Sequence, residues 1–220
     1  MHERTRRALE RGGWTDEEWE RASWDHPVGR LYAAGRGQDA ARLLREYACA
    51  HEAGHAVLGS VVGYRPELVV VGHLHELGGQ ARNQTAGYTL SSYRRGDPPT
   101  PEAVAMYCLG GIAGVDVVYP SGWGLDRGAF LPPAAVKDLR DEGAAGGDVW
   151  EARDAIRLVV TAGGRVLGQP TVGGALVAAM EQAEAILLGH RGKLLRLSAH
   201  LLSYGKADRS VIEDCLSLPE

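Results

Sequence analysis

The chain has 220 residues with 24 basic and 28 acidic side chains, giving a net charge of −4; 45% of its residues are apolar, 24% are charged and 30 are glycine. At roughly 150 residues per domain this is one globular domain with an extension, large enough to bury a core without disulfide staples. The composition excludes wholesale disorder, and the weak negative charge leaves no general electrostatic footprint for nucleic acid.

The N-terminal residues 1–11 are charged throughout and lack the apolar stretch of a secretory signal. The longest apolar stretches, such as residues 57–62, fall far short of the roughly 20 residues that span a bilayer, so no transmembrane helix and no membrane partner are expected. Cys49, Cys108 and Cys215 are odd in number, widely spaced and free of any C-x-x-C pattern. They fit three inert thiols in a reducing cytoplasm.

Residues 1–37 read as an extension in which Arg4, Arg6 and Arg7 precede Trp14, Trp19 and Trp24. Thr15 followed by Glu18 is a capping-box pattern, predicting a short helix over residues 15–23 whose tryptophans dock on the main body. The body, residues 38–220, begins with a long helix over residues 38–63, patterned by Leu43, Leu44, Tyr47, Ala48, Val57, Leu58, Val61 and Val62 and stopped by Gly63. Residues 67–77 and 86–93 read as two strands of a small antiparallel ribbon, which needs helices beneath it. Thr100-Pro101-Glu102 starts a helix that runs to about residue 119. Residues 120–147 are a long Gly- and Pro-rich insertion with a turn or two of helix around residues 134–140, of the kind that forms a lid or a partner surface. Three further helices are expected over residues 148–167, 171–204 with a bend near 189–192, and 208–216. The expected fold class is mainly α with a small antiparallel β ribbon.

Within the long helix, His51-Glu52-Ala53-Gly54-His55 is an H-E-x-x-H element. A spacing of four residues puts both imidazoles on one helical face, where they can share one zinc ion at roughly 2.0–2.1 Å per Zn–N bond. Glu52 projects beside that face and can take a proton from a metal-activated water rather than bind the metal. Gly54 is a poor helix former, costing about 1 kcal/mol relative to Ala, and makes sense where another backbone packs closely.

A catalytic zinc needs a third protein ligand and an open position. His73, His75, Asp116, Asp126, Asp138, Asp141, Glu142 and Asp148 are candidates by residue type. His73 and His75 would share one side of a strand, as ordinary exposed strand residues also do. Asp148 follows Ala144-Ala145-Gly146-Gly147 and opens a helix, whose N-terminus favours a carboxylate, but a plain helix cap fits the same spacing.

Four segments occur together in order: Tyr47-Ala-Cys-Ala-His51-Glu-Ala-Gly-His55-Ala-Val-Leu-Gly; Gly87-Tyr88-Thr89-Leu90; Leu109-Gly110-Gly111-Ile-Ala113 with Val117-Val118; and Gly147-Asp148-Val-Trp-Glu151-Ala152. This series resembles the FtsH-type zinc peptidase domain, a zincin-like fold, over residues 45–216. The resemblance implies that His51, His55 and Asp148 bind Zn2+ and that Glu52 is the general base. Where family members often carry two adjacent acids after the Leu-Gly-Gly element, this chain has Val115-Asp116, and Asp116 is the residue left to orient a ligand histidine from behind.

FtsH proteins also carry a membrane anchor and an AAA+ ATPase module. Residues 1–37 cannot hold either, and Gly189-His-Arg-Gly192-Lys193 lacks the spacing and hydroxyl of a phosphate-binding loop. The expectation is a free-standing, ATP-independent zinc endopeptidase acting on unfolded or extended polypeptides, with a substrate strand added along residues 86–93. A site-specific regulatory or precursor-processing peptidase, or a non-catalytic adaptor docking a separate ATPase, are the alternatives. The resemblance further implies assembly of copies of the chain as a hexamer.

Overall fold

The apolar spacing after Gln38 produces a helix of 26 residues, Gly37–Val62, that ends where Gly63 adopts a left-handed φ of 103° and its N–H closes on the Gly59 carbonyl. Only glycine takes that conformation without strain, so the chain reverses at once into a strand. The structure, a computed structural model, describes residues 1, 3–11, 17, 26–73, 85–93, 99–120 and 147–218. In chain order the elements are α1 (Glu3–Arg11), α2 (Pro27–Ala33), α3 (Gly37–Val62), β1 (Tyr64–His73), β2 (Thr85–Tyr93), α4 (Pro101–Val118), α5 (Asp148–Thr161), α6 (Val172–Gly189), α7 (Arg191–Tyr204), β3 (Lys206–Asp208) and α8 (Arg209–Ser217). The protein is mainly helical with one small antiparallel sheet, as the sequence pattern predicts.

Helix α3 is the hub: it packs on α4, on β1 and β2, and on α7, while α4 carries α5 and α6 on its other surfaces. The crossing of α3 and α4 is set by glycine. A Cβ at Gly54 would strike the Gly110 carbonyl and lie 3.0 Å from the Gly114 Cα, and one at Gly114 would lie 2.6 Å from the Ala50 carbonyl oxygen. Gly54 thus gives up about 1 kcal/mol of helix propensity for an approach no larger residue permits. Around this crossing Leu58, Leu109, Ile112, Ile156, Leu176 and Met180 are fully buried. Each such side chain contributes about 1.5–3 kcal/mol of transfer free energy.

The ribbon gains a third strand that the sequence reading lacks. The order is β2-β1-β3, with β3 pairing Ala207 to Val69 and the Gly205 carbonyl accepting from the Val71 N–H at 2.8 Å. Strand β1 starts at Tyr64, three residues before the predicted Glu67, because the register shift between Pro66 and Leu68 absorbs Glu67 as a bulge. A proline without an N–H is tolerated there. Val69 and Val71 face the core, and Leu68 and Val70 are half-buried.

Other boundaries move for local reasons. Helix α5 stops at Thr161, short of the predicted Leu167, where Gly163 takes φ 80° and the chain folds into the Val166–Gln169 bridge. The predicted helix over 171–204 is two helices meeting at His190, at the place where a bend is expected. Thr100 caps α4 by accepting from the Ala103 N–H at 3.2 Å. Helix α1, which the charged N-terminus hides, buries Ala8 and Leu9 in the main core beside α6. The predicted Trp helix over 15–23 and the turn over 134–140 lie outside the described residues, Glu17 apart. By length and composition alone α4 and α6 could each cross a membrane, which unbroken apolar runs do not reveal; most of α4 is buried inside the protein. All three cysteines are free, and burial pushes the Cys49 thiol up to about 11, consistent with inert thiols.

The α3–α4 crossing predicts that Gly54→Ala, a helix-favouring change, destabilises the protein by about 1–3 kcal/mol through overpacking. Urea unfolding reads it; an unchanged or raised midpoint contradicts the crossing.

Candidate metal centre

One turn of α3 separates His51 from His55, and their rings lie edge to face with centroids 4.8 Å apart and Nε2 atoms 3.1 Å apart. The third group comes from 93 positions further along the chain than His55: Asp148, the first residue of α5, places Oδ2 at 3.1 Å from His51 Nε2 and 3.3 Å from His55 Nε2. Ligands at about 2.0–2.1 Å in a tetrahedral site stand roughly 3.3–3.4 Å from one another, so the three donor atoms have close to the mutual spacing of one shared cation. His51, His55 and Asp148 could hold a metal ion. Among the described residues no other group of three His, Cys, Asp or Glu side chains converges in this way.

The surrounding elements explain why the donors point inward. Tyr107 on α4 accepts from His55 Nδ1–H through its main-chain carbonyl at 2.8 Å, which orients the ring so that Nε2 is the nitrogen facing Asp148 and the one that could ligate a metal. The Tyr107 ring is itself held, stacked on Tyr64 at 4.1 Å with its hydroxyl donating to Ser91 Oγ at 3.1 Å. Gly111 is the residue beside the His51 ring, where a Cβ would collide with Nε2. Gly147 caps α5 without a side-chain bond, so the Asp148 carboxylate is spent on the histidines while the helix N-terminus favours its charge.

Glu52 is buried at 6% exposure and points toward β2. Its Oε2 accepts from Thr89 Oγ1–H at 2.8 Å, and a Cβ at Gly87 would come within 2.5 Å of its Cγ. Burial raises its carboxyl above the ordinary range, Asp148 adds to that, and His51, His55 and Thr89 oppose it. A carboxylate held high in this way suits a proton acceptor working near neutral pH. For Asp148, burial acts upward but is outweighed by the His55 charge and by hydrogen bonds from both histidines, so its carboxyl falls well below the usual range. Burial likewise works against charge on His55, yet the Asp148 charge and hydrogen bond raise it overall.

Of the residues singled out by sequence, His51, Glu52, His55 and Asp148 are brought together. Asp116 sits near the end of α4, half-buried with Oδ2 sealed from water. His75, Asp126, Asp138, Asp141, Glu142 and the His73 side chain lie outside the described residues. Thr89 and Tyr107 are the site residues that sequence reasoning did not assign. Thr89 lies in the Gly87-Tyr88-Thr89-Leu90 segment of the resemblance, whereas a main-chain acceptor such as Tyr107 leaves no sequence signal.

Because His55 holds its proton above its ordinary range in the metal-free protein, metal binding must displace that proton, whereas Asp148 is already ionised. Metal affinity is therefore expected to weaken as pH falls through the raised His55 pKa and to level off above it. Asp148→Asn should weaken binding at every pH. Competition titration against a chelator at several pH values measures both; affinity independent of pH, or unchanged in Asp148→Asn, contradicts the ligand set.

Neither a protein-family model nor a curated protein matches the chain. The centre is thus defined by its own residues and distances.

Proposed function

We propose that the protein is a zinc-dependent endopeptidase of the FtsH-like, zincin type, hydrolysing peptide bonds in unfolded or extended polypeptides. The observation that carries this reading is the convergence of His51, His55 and Asp148 within 3.1–3.3 Å, with a buried Glu52 tethered alongside. Burying two imidazoles and two carboxylates together costs several kcal/mol of desolvation, which a core does not bear for packing alone. Two neutral imidazole nitrogens and one carboxylate oxygen are a donor set that suits zinc with an open fourth position.

Bound there, zinc supplies a Lewis acid for the scissile carbonyl and lowers the pKa of an attacking water. The chain's own residues do the rest. Glu52 accepts the proton as the water oxygen bonds to the carbonyl carbon, then delivers it to the amide nitrogen as the C–N bond breaks. His55 stays oriented through Tyr107, and Asp148, its carboxyl well below the usual range, offers an ionised oxygen. Strand β2 pairs with β1 on one side only among the described residues, so an extended substrate can add along its other edge beside Gly87 and Thr89. Such addition gives backbone affinity with little sequence preference. These 220 residues contain no phosphate-binding loop, so the chain must wait for its substrate to open.

The test pairs chemistry with energy supply. Glu52→Gln should retain metal and fold while losing about 10²–10⁴-fold in turnover, the share general-base catalysis supplies. The parent should digest an unfolded polypeptide without ATP and spare a stably folded one. Full turnover by Glu52→Gln, or ATP-stimulated digestion of a folded substrate by this chain alone, contradicts the reading.

A further inference from the structure

Glu52 is held by a residue of the neighbouring strand. Thr89 Oγ1 lies 2.8 Å from Glu52 Oε2 and 3.1 Å from the Glu52 main-chain oxygen, so one hydroxyl touches both ends of the same residue. Its single proton goes to the nearer acceptor, the side-chain oxygen. Glu52 has three side-chain torsions, and an untethered carboxylate would sample several rotamers. The hydroxyl contact, together with the bare face of Gly87 against Cγ and Oε1, selects one. Placement matters because an error of about 1 Å at a reacting group costs up to about 10²-fold in rate.

We propose that Thr89 is a positioning residue for the general base: its hydroxyl engages Oε2 and, with Gly87 against Cγ and Oε1, holds the carboxylate in one rotamer beside the histidines. This rests on the peptidase reading for its kinetic consequence, but the hydrogen bond itself belongs to the chain with or without metal. Thr89 also sits on the strand to which a substrate would add.

The test compares Thr89→Val, which keeps the shape and removes the hydroxyl, with Thr89→Ser, which keeps the hydroxyl. Using the zinc-loaded protein and fluorescein-labelled unfolded casein, Thr89→Val should lower kcat on the order of 10- to 100-fold, with KM, zinc affinity and Tm near the parent. Thr89→Ser should restore most of kcat. Independently of turnover, the carboxyl ¹³C resonance of Glu52 in the metal-free protein, assigned by its loss in Glu52→Gln, should move in Thr89→Val and return in Thr89→Ser.

An unmoved resonance in Thr89→Val overturns the proposal. So does full kcat in Thr89→Val while Glu52→Gln is inactive, or an equal loss in both Thr89 variants accompanied by a fall in Tm. If parent and Glu52→Gln do not differ in turnover, the peptidase reading fails instead, and the resonance alone decides whether Thr89 positions the carboxylate.

Discussion

The close approach of two helix backbones at Gly54, Gly110 and Gly114 is the constraint on which the rest of the structure depends. With side chains at these positions α3 and α4 would stand further apart. The Tyr107 carbonyl would then leave His55, and the wall that Gly111 provides for His51 would recede. Helix α5 rides on α4, so the position of Asp148 opposite the histidines is inherited from the same crossing. A glycine in mid-helix is a local cost that the global arrangement requires, which is the usual mark of a site built for something other than stability.

Electrostatics points the same way. In the metal-free protein the cluster is held by Asp148 charge against His55, and its contribution to stability has a defined window. A depressed carboxylate stabilises above its unfolded pKa and loses this as pH falls through the folded value; a raised histidine stabilises below its unfolded pKa and loses this as pH rises through the folded value. The two together favour the folded metal-free chain most between about pH 4 and pH 6.5. A divalent cation bound by the three residues would take over the role of the His55 proton at higher pH, which would couple metal occupancy to folding. Glu52 feels the same charges, from His51, His55 and Asp148, but its carboxylate is held by Thr89 on a different element.

Much of this was legible in the sequence because it is local. The i, i+4 spacing of His51 and His55 needs only helical geometry, and Gly63 and Thr100-Pro101 mark helix ends through backbone preferences of single residues. What was illegible is non-local or main-chain. Residue chemistry alone left Asp148 as either ligand or cap; the resemblance singled it out, and the fold places its Oδ2 3.1 Å from His51 Nε2 and 3.3 Å from His55 Nε2. Strand β3 has three residues, too few for any periodicity, and is defined by the Gly205 carbonyl and its pairing with β1. The contribution of Tyr107 is a carbonyl that every residue owns. Thr89 looked like any β-branched strand residue until the register with Val69 and the contact with Glu52 gave it a role.

The most direct test of a zinc peptidase centre is reversible removal of the metal. Chelator-treated protein, freed of excess chelator, should lose cleavage of an unfolded polypeptide in proportion to the zinc removed, and one equivalent of zinc per chain should restore it. Cleavage that persists in the metal-free protein, or a fully zinc-loaded protein that cleaves nothing, would contradict the account.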